Sequence, residues 1–228
     1  VFGTPCQIAS LRLLIKKKKK EDNFILVDFF CHGVPSLKMW DKYISETGIK
    51  YNKEINNIKW RDKKTGWHDS WKIVATDKNN RELYRSKNVN EDLFYKYFLG
   101  HYALSPCCIN SCKFKKNNTL ADIRIGDLWG DKYKNEEKGV SGLICYTPKG
   151  EDLASNIKNA SFITHNNEVV TQGQMSNNAK KPRGYKFINN LLKINYIKLD
   201  TILKIKEYTI LFIDLPKIIF NKLKRVLS

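Results

Sequence analysis

Six cysteines, Cys6, Cys31, Cys107, Cys108, Cys112 and Cys145, stand in a chain of 228 residues. Cys6 ends Gly3-Thr4-Pro5-Cys6, and Cys31 opens Cys31-His32-Gly33-Val34-Pro35-Ser36. The other close group is Pro106-Cys107-Cys108-Ile109-Asn110-Ser111-Cys112. Clustered thiols in a chain long enough to build its own core point to metal binding or redox chemistry rather than disulfides. Cys6, Cys31, one of Cys107/Cys108, and Cys112 give four thiolates, a set that suits a [4Fe–4S] cluster or a structural zinc. Spacing alone does not choose between the two, and buried unreactive thiols are the plain alternative. Adjacent side chains point apart, so one of Cys107 and Cys108 is expected to be the ligand. Cys108 is preferred because it leaves the shorter loop to Cys112. Cys145, inside Leu143-Ile144-Cys145-Tyr146, reads as a small core residue. A cluster requires the four sulfurs to converge within about 7 Å.

The elements around these residues predict how they are positioned. Val1-Phe2-Gly3 reads as the end of a buried strand, and Ile8, Leu11, Leu14 and Ile15 recur at helical spacing. The run from Phe24 to Phe30 reads as a second strand. Such a strand–helix–strand unit favours a parallel pair. If the two strands are neighbours about 4.8 Å apart, Cys6 and Cys31 leave the same rim, where open α/β sheets place ligands. Ser36 is expected to cap a helix from Leu37 to Glu46 that Gly48 closes. Strands are expected at Ile55 to Arg61, Trp67 to Thr76 and Leu83 to Arg85, making a small antiparallel insertion. Asn90 is expected to cap a helix ending near Leu99. Strands follow at Ile123 to Gly126 and Gly142 to Tyr146, then a turn at Pro148-Lys149-Gly150 and a short helix. Phe162 to Thr164 and Glu168 to Thr171 read as a last strand pair. The pattern is helical from Arg183 on. The fold class is mixed α/β, with a parallel core, an antiparallel insertion and a helical C-terminal tail.

Bulk properties narrow the function. Hydrophobic residues make up 42% of the chain, enough for a core, and 41 Lys+Arg against 23 Asp+Glu give a formal charge of +18. The excess is spread with Asn and Ile along the whole chain, and no nucleic-acid-binding motif accompanies it, so nucleic acid is not an expected partner. No run of about 18 apolar residues predicts a membrane span. The longest candidate, Tyr208 to Phe220, is broken by Asp214 and Pro216. A cytoplasmic location is expected. Since the sequence opens on Val1 in what reads as a strand, it is expected to be truncated at its N-terminus.

Several motifs occur in one order: Gly3-Thr4-Pro5-Cys6-Gln7, then Cys31-His32-Gly33-Val34-Pro35-Ser36, then the cysteine loop followed by Lys113-Phe114-Lys115. Asp122-Ile123-Arg124-Ile125-Gly126-Asp127-Leu128-Trp129-Gly130, Gly139-Val140-Ser141 and Lys181-Pro182-Arg183 with Phe187 follow. Over residues 1–187 this series resembles the beta-subunit family of coenzyme F420 hydrogenases and dehydrogenases. The resemblance implies a redox domain over 1–187 and an added helical extension over 188–228. It also implies an oxidoreductase with a cysteine-held iron–sulfur cluster and a flavin, FAD or FMN. Electrons would pass between them and a small-molecule acceptor, coenzyme F420 in the hydrogenase branch. The implied partner is a redox subunit or an upstream ferredoxin-like segment. The family loop reads Pro-Ser-Cys-x-x-Cys, whereas the loop here is one residue longer.

A flavin needs backbone amides and close-approach glycines. Gly3, Thr4, Pro5, His32, Gly33, Gly130, Gly139 and Ser141 are the candidates for it, with Asp127 and Trp129 at the end of a strand. Each glycine also reads as an ordinary turn, Asp127 as a turn cap and His32 as a structural histidine. Arg61 with Gly66-Trp67 resembles a further family feature. His68, His101 and His165 read as structural or exposed. The tail from Ile194 to Leu227 is amphipathic; docking on protein is the default, and contact with an anionic membrane surface is the alternative. The rival reading of the whole chain is a non-catalytic basic module that binds zinc or a partner.

Overall fold

Local rules account for most of the elements in the computed structural model, which describes residues 1–209. In chain order the helices are α1 (Pro5–Lys17), α2 (Leu37–Tyr51), α3 (Leu93–Leu99), α4 (Pro148–Ser155), α5 (Asn167–Thr171) and α6 (Tyr185–Leu191). The strands are β1 (Val27–Phe29), β2 (Asn57–Lys59), β3 (Val74–Thr76), β4 (Glu82–Arg85), β5 (Ile123–Asp127) and β6 (Ser141–Cys145). Helical backbone also covers 199–209. The rest of the expected tail, including Asp214 and Pro216, lies outside the described residues. Among the described residues no helix is long and apolar enough to cross a membrane.

The chain forms two units built from alternating segments. The first comprises Val1–Gly33, Lys63–Asp69 and Asn110–Ala179; the second comprises Val34–Asp62, Ser70–Ile109 and the described residues from Lys180.

In the first unit β1 pairs parallel with β5, and β5 pairs antiparallel with β6. Phe2 adds a parallel bridge to Val27 on the other side of β1. The expected strand–helix–strand core is therefore present. Its apolar filling is Ile8, Ile15, Leu26 and Ala121, with Leu11 and Phe24 packed against them. Asp28 and Arg124 face each other in the β1/β5 register. They form a bidentate ion pair at 2.6 Å for both bonds, and both side chains are fully buried. The remaining valences are filled: Thr119 Oγ1 donates to Asp28 Oδ2 at 2.5 Å and Arg124 Nη1 donates to the Lys116 carbonyl at 2.6 Å.

Asp122 ties the same unit together at the start of β5. Its carboxylate accepts from Leu26 N at 2.7 Å, from Arg12 Nη2 at 2.7 Å and from Thr147 Oγ1 at 2.9 Å. Burial alone would raise its pKa; the bonds from Leu26, Arg12 and Thr147 outweigh that and hold it below the ordinary carboxylate value. A depressed folded-state pKa contributes stability that is present above the unfolded value and lost as pH falls through the folded one. Urea midpoints measured from about pH 7 to about pH 3 should therefore fall less steeply in Asp122→Asn than in the parent chain. Equal acid slopes would remove Asp122 from this role.

The second unit holds the expected antiparallel insertion, ordered β2-β3-β4. Its core is Met39, Tyr43, Ile73, Phe94, Tyr95, Tyr97, Ala103, Ile188, Leu192, Leu199, Ile202 and Leu203. Residues on both sides of position 187 thus share one apolar cluster. Asp92, fully buried, caps α3: it accepts from Phe94 N at 2.8 Å and Tyr95 N at 3.2 Å. Its other oxygen accepts from the Tyr43 and Tyr84 hydroxyls, both at 2.8 Å. Burial, and then the Asp92 carboxylate, raise both phenol pKa values, which keeps them protonated as donors.

Five local expectations are corrected. Helix α2 runs past Gly48 to Tyr51, because Asn52 takes the left-handed conformation (φ 48°) and ends it there. The cap of α3 is Asp92 rather than Asn90, whose N–H is held in a turn by Asn88 Oδ1 at 2.9 Å. The strand expected from Trp67 is confined to β3, since 63–69 belongs to the first unit and 70–76 to the second. Pro148 starts α4 behind the Thr147 cap instead of making a turn. The last strand pair is absent: 162–164 has no regular structure, and Glu168 to Thr171 lie in α5. Asn166 Oδ1 accepts from Val169 N at 3.2 Å, and this cap overrides the strand preference of Val169, Val170 and Thr171.

Candidate functional site

The parallel run of Phe2, β1 and β5 brings three strand ends to one rim of the first unit. Gly3, Thr4, Pro5 and Cys6 leave the first end, Cys31 and His32 the second, Asp127, Trp129 and Gly130 the third. None of the six cysteines is in a disulfide. Cys6 is exposed in the first turn of α1, behind Thr4. Thr4 Oγ1 donates to Gln7 Oε1 at 2.9 Å, so the Cys6 thiol, 3.2 Å away, is the donor in its own contact with that hydroxyl. Pro5 at the first helical position costs no hydrogen bond there.

Cys31 is fixed through its backbone. Its N–H donates to Met175 Sδ at 2.9 Å, and its carbonyl accepts from Lys115 Nζ at 2.6 Å. The same ammonium reaches the His32 carbonyl at 3.2 Å. Lys115 lies three residues beyond Cys112 and so ties the segment carrying Cys112 to the Cys31 loop. The sequence marks Lys115 only as part of a motif; its clamp on two carbonyls depends on packing. Asn110, which starts this segment, is anchored by its N–H to the Ala179 carbonyl at 2.9 Å.

Cys107 and Cys108 lie in the second unit, on the short turn Pro106–Cys108. Cys107 is exposed with its sulfur 3.0 Å from Ser105 Oγ, and Cys108 is half-buried. Both lie close enough to Tyr185 to add to the effect of burial in raising its phenol pKa. A cleft of about 490 Å³ adjoins this turn, lined by Val34, Leu104, Pro106, Tyr185, Lys186 and Asn189 among others. Cys145 is half-buried at the end of β6, where burial raises its thiol pKa.

Four thiols suit an iron–sulfur cluster or zinc by donor chemistry. Among the described residues no three His, Cys, Asp or Glu groups stand as a ready metal site; Cys6, Cys31 and Cys112 belong to the first unit and Cys108 to the second.

The candidates for the flavin divide similarly. Asp127 and Ser141 are register partners at the ends of β5 and β6. Trp129 packs on Trp67 with ring centroids 4.3 Å apart and planes at 30°. Gly139 has φ +80°, and a side chain there would press into the Trp67 indole; a side chain at Gly130 would meet Gln172. Protein atoms thus take up the room beside both glycines. Gln174 Nε2 donates to the Asp127 carbonyl at 2.7 Å and closes this corner. Gly33, with φ 152°, ends the first segment of the unit.

Three histidines take positions that the sequence does not signal. His165 Nε2 is 2.7 Å from the Tyr133 hydroxyl, and its Nδ1 is 3.3 Å from Lys132 Nζ. His68 packs edge-on against Trp67 at 4.7 Å, and its Nε2 is buried without a hydrogen-bond partner. His101 Nδ1 lies 3.2 Å from the Lys180 carbonyl, in the second unit.

Residues 1–170 match the family described as the C terminus of the beta subunit in coenzyme F420 hydrogenase/dehydrogenase. The chain belongs to this family. No curated protein and no solved structure matches it. The F420 hydrogenase/dehydrogenase beta subunit is part of an oxidoreductase, so the general role of the chain is oxidoreductive and its setting that of a subunit. The match takes in every proposed cysteine ligand and every flavin candidate. It stops short of Lys181-Pro182-Arg183 and Phe187.

Proposed function

We propose that this chain is an iron–sulfur flavoprotein oxidoreductase, passing electrons between a [4Fe–4S] cluster, a flavin (FAD or FMN) and a deazaflavin-like acceptor, for which coenzyme F420 is the candidate. Membership of the F420 hydrogenase/dehydrogenase beta-subunit family carries this reading. Cys6, Cys31, Cys108 and Cys112 are the proposed ligands. The common rim of the Cys6 and Cys31 strand ends, and the Lys115 tie from the Cys112 segment to the Cys31 loop, support the choice within the first unit. When bound, the cluster carries single electrons and the flavin exchanges them for hydride.

The chain's own part is to hold and shield. Lys115 and Met175 fix the Cys31 backbone, the former at its carbonyl and the latter at its N–H. Gly3, Thr4, Pro5, His32, Gly33, Asp127, Trp129, Gly130, Gly139 and Ser141 are the proposed flavin-binding residues. The proposed partner is a redox subunit or a ferredoxin-like segment, and the proposed location is cytoplasmic. The redox domain is proposed to end at 187, with 188–228 as its extension.

Anaerobic purification and reconstitution with iron and sulfide test the reading. The parent chain should turn brown and bind iron, sulfide and flavin. Cys6→Ser, Cys31→Ser and Cys112→Ser should each lose most of the iron, while Cys145→Ser keeps it. A colourless protein with stoichiometric zinc would establish the basic binding module instead.

A further inference from the structure

Helix α1 gives its inner face to the first unit's core: Ile8, Ala9 and Ile15 are buried, and Arg12 Nε donates to the Leu120 carbonyl at 3.0 Å. Its outer face carries Cys6, Ser10, Leu13 and Lys17, all exposed. Their spacing puts them in one ladder about 16 Å long at the helical rise. Leu13 and its neighbour Leu14 are 63% and 53% exposed. Five consecutive lysines, Lys16 to Lys20, adjoin them, and all five are exposed.

The lysine run is not a loose tail. Lys20 N–H donates to the Ile15 carbonyl and Lys19 N–H to the Lys16 carbonyl, both at 3.0 Å. Such a helix end turns on one left-handed residue, and here it is Lys19, with φ 53°. Glycine takes that conformation freely, whereas a lysine there costs stability. A charged side chain thus stands where the backbone favours none. Lys149 Nζ donates to the Glu21 and Phe24 carbonyls at 2.9 and 3.3 Å and brings further positive charge to this end. Glu21 and Asp22 offset two of these charges.

Exposed apolar side chains beside fixed charge of one sign have the make-up of a small, transient protein interface. The apolar groups give contact, and the charge at the rim selects the partner. A helix that lies on a membrane needs a broad apolar face with anchoring side chains. The apolar face of α1 is committed to the core, and two leucines remain outside. The family is that of a subunit, which calls for a protein partner. We propose that the outer face of α1, Leu13 and Leu14 with Lys16 to Lys20, docks an acidic electron-carrier protein. This rests on the reading of Cys6 as a cluster ligand, at the other end of the same ladder, and adds to it the place and the charge of the partner.

The test titrates the full chain, held anaerobically, into a fluorescently labelled acidic ferredoxin and follows anisotropy from about 0.02 M to about 0.5 M NaCl. The parent should bind at low salt and release at high salt. Changing Lys16 to Lys20 together to Gln should weaken low-salt binding about thirtyfold, a factor of about two for each rim charge. Changing Lys38, Lys59, Lys78, Lys87 and Lys96, exposed lysines of the second unit, removes the same charge and should leave binding within about twofold. Leu13→Ser with Leu14→Ser should weaken it about tenfold with an unchanged salt slope. Lys19→Gly should weaken it about twofold while raising the melting temperature, opposite movements that a structural lysine would not give. No binding by the parent, equal losses from the two lysine sets, or binding to phosphatidylserine vesicles in place of the ferredoxin would overturn the surface. So would a lower melting temperature in Lys19→Gly. Iron uptake on reconstitution with equal ferredoxin affinity in the parent and the Lys16 to Lys20 variant would remove the surface and leave the cluster reading. Ferredoxin binding as expected by a chain that takes up no iron would do the reverse.

Discussion

Arg124→Met should unfold the first unit's sheet at markedly lower urea concentration, with a loss of about 3–5 kcal/mol. The reason is asymmetric solvation. Asp28 and Arg124 are both fully buried and hold each other through two bonds of 2.6 Å. Removing the guanidinium strands a carboxylate in an environment without water, and the Lys116 carbonyl loses its donor as well. The guanidinium also lies about 6 Å from the Phe30 and Tyr146 rings, so its space is apolar and a methionine side chain can fill it. Removing both charges, as in Asp28→Leu with Arg124→Met, should restore part of the loss, since an apolar pair of similar volume lacks the stranded charge. A double-mutant cycle by urea denaturation gives the coupling directly. A cost below about 1 kcal/mol for Arg124→Met would mean that the pair is solvated in solution and that the β1/β5 register does not depend on it.

Asp92→Ala should be comparably damaging in the second unit, at about 3 kcal/mol or more. One part is the lost cap of α3, worth about 1 kcal/mol. The larger part is two phenols, Tyr43 and Tyr84, deprived of their common acceptor. A buried donor without an acceptor costs about 1–3 kcal/mol. Tyr43→Phe alone should cost only about 1 kcal/mol, because it removes a donor and leaves the carboxylate three others. The order Asp92→Ala well above Tyr43→Phe, read from urea midpoints, is the check. Equal costs would show that the cap, not the phenol network, is what Asp92 provides.

The contrast between these sites and the cysteines shows what the amino-acid sequence makes legible. Strand β5 shows Ile123 and Ile125 alternating with polar positions, β6 carries the short apolar run Leu143-Ile144-Cys145, and the parallel unit around α1 follows from the order of elements. The small antiparallel sheet is legible for the same reason. Short-range polar bonds account for the first kind of departure: Asn166 and Asp92 act through single side-chain oxygens, which outweigh propensity over five to seven residues. Long-range pairing accounts for the second. Asp28 and Arg124 are 96 positions apart, and only the register of two strands makes them partners. The candidate site divides likewise. The placement of Cys6 and Cys31 at neighbouring strand ends is a consequence of topology and can be foreseen. The Lys115 tie, the Trp67–Trp129 pair and the partnerless nitrogen of His68 depend on three-dimensional packing and leave no periodic trace.

The alternation of segments between the two units has a consequence for how the molecule comes into being. Each unit draws on three stretches of chain, and the first unit's last stretch runs to Ala179. A ribosome must therefore release the stretch ending at Ala179 before the first unit is complete, and residues beyond Lys180 before the second is. The early stretches emerge with strand edges and apolar faces that have no complement yet. Shortened versions of the gene product would inherit that predicament permanently, and dissecting the protein by cutting it at a linker is not a route open to the experimenter.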